Sequence, residues 1–258
     1  MKLQTDISGS GEPLVLLHGW GLNSGVWHPL LPRLTERYRV ISIDLPGFGV
    51  NADRQPSPYA LTSVGHMLAD AIPDGATVLG WSLGGLLAQW LAIHFPHKVK
   101  RLVLVASTPC FVQQQSWPGV RPAVLHTFER QLENDFSDTL DRFLAIQAMG
   151  SPSARHDIRN IRECVSQFPE PDPAALRHGL TLLGTVDLRH ELPRITAPIA
   201  RFYGRLDSLV PHKAIELIES VKGSDYLHIF EHASHAPFIS HPDAFVEHLM
   251  AACDSPVA

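Results

Sequence analysis

The chain alternates short, uninterrupted apolar runs with longer stretches in which apolar residues recur every three or four positions. The runs fall near 14–18, 39–44, 76–81, 101–106, 198–203 and 226–230. Runs of Val, Ile and Leu without polar alternation predict strands buried on both faces, hence a mostly parallel sheet. Helical spacing falls near 26–37, 59–71, 83–95, 212–221 and 242–252. In the third of these, Leu86, Leu87, Trp90, Leu91 and Ile93 are spaced for one buried face. Strands and helices in alternation predict an α/β fold, a sheet flanked by helices.

Between Ala106 and Pro198 the alternation stops. Residues 120–134, 136–149, 153–167 and 173–185 have helical spacing instead, for example Phe136, Leu140, Phe143, Leu144 and Ala148 on one face. This predicts a helical cap, residues 110–189, inserted after the strand that follows the 83–95 helix. The core is then 1–109 and 190–258, and the cap sits above the carboxyl edge of the sheet, where parallel sheets bind ligands. Phe143, Leu144, Ala145, Ile146 and Gln147 are candidates for a channel wall, with Gln147 the one polar group facing a substrate. Plain helix–helix packing explains the same spacing equally well.

Chemistry enters at Gly80-Trp81-Ser82-Leu83-Gly84, a Gly-x-Ser-x-Gly pattern with an apolar run before it and a helical stretch after it. A serine on such a turn is strained and lifted above the sheet, and the following helix aims its first N–H groups at negative charge forming there. Serine needs a base, and the base needs an orienting carboxylate. Asp207 follows the 198–203 run and His235 follows 226–230, which gives the chain order Ser82, Asp207, His235 expected of an α/β-hydrolase. His232 competes locally, but His235 lies deeper in the loop before Pro237. His94, His97, His241 and His248 fall on helices or helix ends, where a solvated surface position is expected. Asp44 ends a strand ahead of the serine and is expected to be a structural turn carboxylate. The loop His18-Gly19-Trp20-Gly21 suits an oxyanion site, with main-chain N–H groups from Trp20 and Leu83 as donors.

Composition narrows the classes. The 258 residues are 45% hydrophobic and 18% charged, enough for one large core. A net charge of −5 without a Lys/Arg run argues against nucleic-acid binding. Cys110, Cys164 and Cys253 have neither metal-ligand spacing nor a disulfide pattern, so a reducing cytoplasm fits. No signal peptide or membrane span is expected, and no metal or cofactor. One corner departs from the acidic balance. Arg155, Arg159 and Arg162 share a helical face beside the apolar stripe Ala154, Ile158, Ile161 and Val165, with Arg142 one helix earlier and only Asp157 opposing them from 142 to 162. Such spacing fits a solvated face first; its functional reading is a docking patch for an acidic partner.

With Ser82, Asp207, His235, His18-Gly19-Trp20-Gly21 and Asp44-Leu45-Pro46-Gly47-Phe48-Gly49 in place, the chain resembles the α/β-hydrolase superfamily over nearly its whole length. Within it, the resemblance is closest to the biotin-pathway esterases that hydrolyse the methyl ester of pimeloyl-acyl carrier protein. Five stretches carry that likeness: 17–23, 80–85 with tryptophan before the serine, 106–111, 142–147 (Arg-Phe-Leu-Ala-Ile-Gln) and 235–242. The resemblance implies substrate contacts at Trp20, Ser82, Leu83, Phe143 to Gln147 and His235. It also implies an acyl carrier protein as partner, docked by Arg142, Arg155, Arg159 and Arg162, and a monomer is expected. Two rivals stay open: a general short-chain carboxylesterase, and a non-catalytic ligand sensor on the same fold. A dehalogenase or epoxide hydrolase is disfavoured because its nucleophile would be aspartate.

Overall fold

The computed structural model describes residues 1–132, 139, 142, 144, 145 and 154–254. Thr5–Ser8 forms β1 and Glu12–Leu17 forms β2, followed by the short helix α1 (Leu31–Leu34), β3 (Tyr38–Ile43), α2 (Leu61–Ala71) and β4 (Ala76–Trp81). Then come α3 (Leu83–His94), β5 (Val99–Val105), α4 (Pro122–Leu132), α5 (Ala154–Val165) and α6 (Pro173–Thr185). The chain closes with β6 (Ile199–Gly204), α7 (His212–Val221), β7 (Tyr226–Phe230), α8 (Pro237–Ser240) and α9 (Pro242–Asp254). Among the described residues the strands form one seven-stranded sheet in the order β1-β3-β2-β4-β5-β6-β7. All neighbours are parallel except β1 and β3, which are antiparallel.

The uninterrupted apolar runs serve two cores at once. On β2, Val15 and Leu17 join a cluster with α2, α3 and α7, while Leu14 and Leu16 join a second cluster with α1 and α9. A strand's side chains alternate between faces, so a run apolar at every position can only be satisfied by cover on both. The chain belongs to the fold class expected from this pattern.

Three details differ from the sequence pattern. β1 pairs with β3 but has only one large apolar residue, Ile7, and that one is exposed, so no apolar run marks it. The expected helix 26–37 is instead a 3₁₀ turn at Ser24–Trp27 and the four-residue α1. Pro29 and Pro32 have no N–H to give a continuous helix, and Pro32 sits where proline is tolerated, in α1's first turn. Finally, α3 is buried on every face from Leu83 to Ile93 rather than on one, because α2 and the turn at Leu192–Arg194 cover the side away from the sheet.

The segment between β5 and β6 leaves and returns at one point, where Leu188 N–H donates to Pro109 O (2.9 Å) and Cys110 bridges Asp187. Of the four helices expected there, α4, α5 and α6 correspond to three; the region 136–149 lies largely outside the described residues. The α5 stripe packs as its spacing predicts: Ile161 is buried in the second core cluster, with Ile158 and Val165 packed against it. No helix among the described residues is long and apolar enough to cross a membrane.

Candidate active site

The sheet order reverses at β2, which has β3 on one side and β4 on the other. Loops leaving the carboxyl ends of β2 and β4 therefore turn apart and open a crevice. Trp20 follows β2, Ser82 follows β4, Asp207 follows β6 and His235 follows β7, so all four converge on this edge.

Ser82 has φ 54° and ψ −117°, a conformation that costs a residue with a Cβ ~1–3 kcal/mol. Its surroundings impose it. A Cβ on Gly80 would lie 2.5 Å from Gly84 O, and one on Gly84 would lie 2.4 Å from Leu17 O. Both obstacles are main chain, so only glycine fits the sharp turn from β4 into α3. The Ser82 N–H donates to Val105 O (3.0 Å), and the Ser107 hydroxyl donates to Ser82 O (2.9 Å). Tyr203 in turn donates its O–H to Ser107 O (3.1 Å), so β6 braces the elbow from the far side. Ser107 and Tyr203 were not singled out from sequence; the only signal was Ser107's place in the 106–111 stretch.

His235 Nε2 lies 2.9 Å from Ser82 Oγ and His235 Nδ1 lies 2.7 Å from Asp207 Oδ2. All three side chains are buried. The other oxygen of Asp207, Oδ1, accepts from Leu209 N (2.8 Å) and Val210 N (3.0 Å), which fixes the carboxylate plane. A carboxylate only accepts, so Nδ1 carries the imidazole proton and Nε2 is left to accept from the serine hydroxyl. His232, the local competitor, is exposed. His94 and His97 are also exposed, but His241 and His248 are half-buried rather than solvated. His248 is held by the Tyr226 hydroxyl at 2.7 Å and stacks on His228, and both His241 and His248 lie beside the Phe230 ring of β7.

The loop after β2 is pinned by His18. Leu45 N–H donates to its Nε2 (2.9 Å), so Nδ1 bears the proton and donates to Gly19 O (2.8 Å). Burial pushes His18 below the ordinary histidine range, outweighing the Asp44 carboxylate 3.9 Å away. A neutral imidazole thus ties the Trp20 loop to the 44–49 loop. Asp44 is structural, accepting from Ser24 N (2.5 Å) and Val50 N (2.7 Å).

Helix α6 lies over this loop. The Trp20 indole N–H donates to Leu176 O (2.8 Å). A Cβ on Gly179 would lie 2.6 Å from Trp20 Cδ1 and 3.5 Å from Leu83 Cδ2. Helix α5 is fastened nearby: Asn23 Nδ2 donates to Val165 O (3.0 Å), and α5 packs on Ser24–Trp27 and α8. Arg142, Arg155, Arg159 and Arg162 are exposed, while Asp157 is buried, so the expected opposing charge does not share their surface. Glu163 does, 4.0 Å from Arg159. Leu144 is fully buried in the second core cluster and Ala145 is exposed; Phe143, Ile146 and Gln147 lie outside the described residues. Among the described residues no group of three or more His, Cys, Asp or Glu is arranged to hold a metal ion.

Comparison with known proteins matches residues 12–242 to a family model described as the alpha/beta hydrolase fold. The chain is 48% identical over 247 residues to the pimeloyl-[acyl-carrier protein] methyl ester esterase of Aeromonas hydrophila, covering 96% of this chain and 97% of that one. It is 50% identical over 241 residues to the protein of the same name from Photobacterium profundum, covering 93% and 94%. Among solved structures it is similar to an esterase from Exiguobacterium antarcticum, with a TM-score of 0.88 and 25% identity over 98% of this chain and 96% of that one. It also shares its fold with the enol-lactonase of Burkholderia xenovorans, with a TM-score of 0.82 and 20% identity over 97% and 96%.

Proposed function

The chain belongs to the α/β-hydrolase family and, within it, to the pimeloyl-[acyl-carrier protein] methyl ester esterases, and we propose that it cleaves this ester through a covalent acyl-enzyme on Ser82. The observation that carries the reading is the hydrogen-bonded line Ser82 Oγ, His235, Asp207, with distances of 2.9 Å and 2.7 Å. As His235 Nε2 takes the serine proton, Oγ attacks the methyl-ester carbonyl carbon. The tetrahedral intermediate breaks its C–OCH₃ bond, and His235 returns the proton to the departing methoxide as methanol. Water then attacks the acyl carbon by the same route, giving the free carboxylate and restoring the Ser82 hydroxyl. Asp207 holds the tautomer and stabilises the imidazolium.

The oxyanion is assigned to the main-chain N–H groups of Trp20 and Leu83. Leu83 opens the twelve-residue α3, whose N-terminal N–H groups favour negative charge. Gly19 brings the Trp20 loop close, since a Cβ there would lie 3.3 Å from Ser82 Cβ. Residues 110–189 act as a helical cap, with Phe143, Leu144, Ala145, Ile146 and Gln147 assigned to the acyl channel. The carrier docks on Arg142, Arg155, Arg159 and Arg162. The enzyme works as a monomer in a reducing cytoplasm, where its three free thiols are stable.

Docking is tested by reversing the charge of Arg155, Arg159 and Arg162 together. Exposed charge pairs are worth ~0.2–1 kcal/mol each, so the triple variant is expected to raise KM for the carrier-bound ester about tenfold. The salt dependence of kcat/KM should flatten as well, because steering is screened by salt. Hydrolysis of a small soluble ester should run at the wild-type rate. Equal losses on both substrates would show that the arginines support the cap and do not grip the carrier.

A further inference from the structure

Trp81 stands immediately before the serine and is fully buried. Its side chain points away from the elbow into the second core cluster and then meets the site again from below. The indole N–H donates to the main-chain oxygen of His235 at 2.8 Å. Its ring packs edge-on against Phe238 (centroids 5.0 Å apart) and Trp27 (6.4 Å), and lies 5.9 Å from the His235 ring. Its other edge supports Gly19, where a Cβ would come within 3.1 Å of the indole.

These contacts reach three parts of the site from one residue. Trp81 is covalently joined to Ser82, touches the loop that carries Trp20, and holds the backbone of His235. Its own position is fixed as the last residue of β4, in register with Val105 on β5. His235, by contrast, sits in the loop between β7 and α8. The Nδ1 side of its ring is held by Asp207; nothing in that bond sets how far the main chain lies from β4. The indole bond does.

We propose that Trp81 is a positioning residue: its indole N–H sets the distance between the His235 main chain and the β4 strand that carries Ser82, and so keeps Nε2 within reach of Oγ. This rests on the triad assigned above. It explains why the position holds an aromatic with a donor at a defined reach. A phenylalanine would fill much of the space and leave the His235 carbonyl unpaired, and a misplacement of about 1 Å in a catalytic group is enough to cost ~10²-fold in rate.

Trp81→Phe tests it. The expected result is a kcat lowered roughly 10- to 100-fold on the carrier-bound ester and on a small ester alike, with KM within about twofold of wild type. Titration with a phosphonate reagent should still label one serine per folded molecule, only more slowly. Phe238→Leu loosens the same aromatic packing without touching the hydrogen bond, and should leave kcat near wild type. If Trp81→Phe retains wild-type kcat, or Phe238→Leu loses as much, the residue is only core packing and the proposal falls while the triad stands. If the phosphonate labels a residue other than Ser82, the triad itself fails. Should Trp81→Phe not fold, ¹⁵N-indole labelling of the wild-type enzyme decides, with peaks assigned by Trp→Phe replacement at the other positions. The Trp81 N–H resonance is expected to exchange slowly and to shift when a phosphonyl group on Ser82 displaces His235, whose main-chain oxygen it holds; a resonance indifferent to phosphonylation overturns the proposal.

Discussion

Replacing Ser82 with alanine is expected to lower kcat by at least ~10³-fold, and toward ~10⁶-fold, while the protein stays folded. The size follows from what is lost. Without Oγ no acyl-enzyme forms, and the residual rate is expected to come from a water attacking an ester held at the oxyanion site proposed for the Trp20 and Leu83 amides. The fold should tolerate the change because the elbow is built by main-chain obstacles at Gly80 and Gly84 and by hydrogen bonds to the backbone of Ser82. KM for the carrier-bound ester should change little, since the substitution removes one heavy atom at the end of a long substrate. Circular dichroism and thermal melting check the fold, and steady-state kinetics check the rate. Near-normal activity in a verified Ser82→Ala preparation would remove the serine from the mechanism.

Asp207→Asn is expected to cost on the order of 10³- to 10⁴-fold in kcat for a different reason. Oδ1 of Asp207 is committed to the N–H groups of Leu209 and Val210, so an amide introduced there keeps its oxygen on those donors. Its NH₂ then faces His235 Nδ1, which must become an acceptor. The ring proton moves to Nε2, and Nε2 can no longer accept from Ser82 Oγ. The geometry survives and the wrong nitrogen is protonated. His235→Ala should be comparably severe, whereas His232→Ala, an exposed site, should be mild. A collapse at His232 with His235→Ala active would exchange their roles.

Much of this arrangement is written in local patterns. Six of the strands were legible because residues such as Leu14 to Leu17 are apolar at every position, and burial on both faces is the only way to satisfy them. Ser82 was legible because it directly follows such a run, and Asp207 and His235 because each lies in the loop just after one. β1 was not, since the polar segment Thr5–Ser8 owes its strand to pairing with β3 and not to its own hydrophobicity. The break at Pro29 and Pro32 was present in the sequence but hidden under apolar spacing that still looked helical. The contacts that hold the site together were beyond local reading. His18 to Leu45, Tyr203 to Ser107 and Trp81 to His235 join residues far apart in sequence. The spacing around each partner says nothing of the other.

The most direct measurement uses the unusual product of the first step. Attack at the methyl ester expels methanol and leaves the carrier attached, so Ser82 becomes linked to the carrier through the pimeloyl chain and its thioester. Rapid acid quench followed by intact-mass analysis should therefore detect a species of enzyme plus carrier-bound substrate minus methanol. Peptide mapping should place the link on Ser82, and Ser82→Ala should not form it. An adduct that has lost the carrier thiol and kept the methyl ester would mean attack at the thioester, and an adduct on any other residue would mean another nucleophile; either contradicts a methyl-ester hydrolase acting through Ser82.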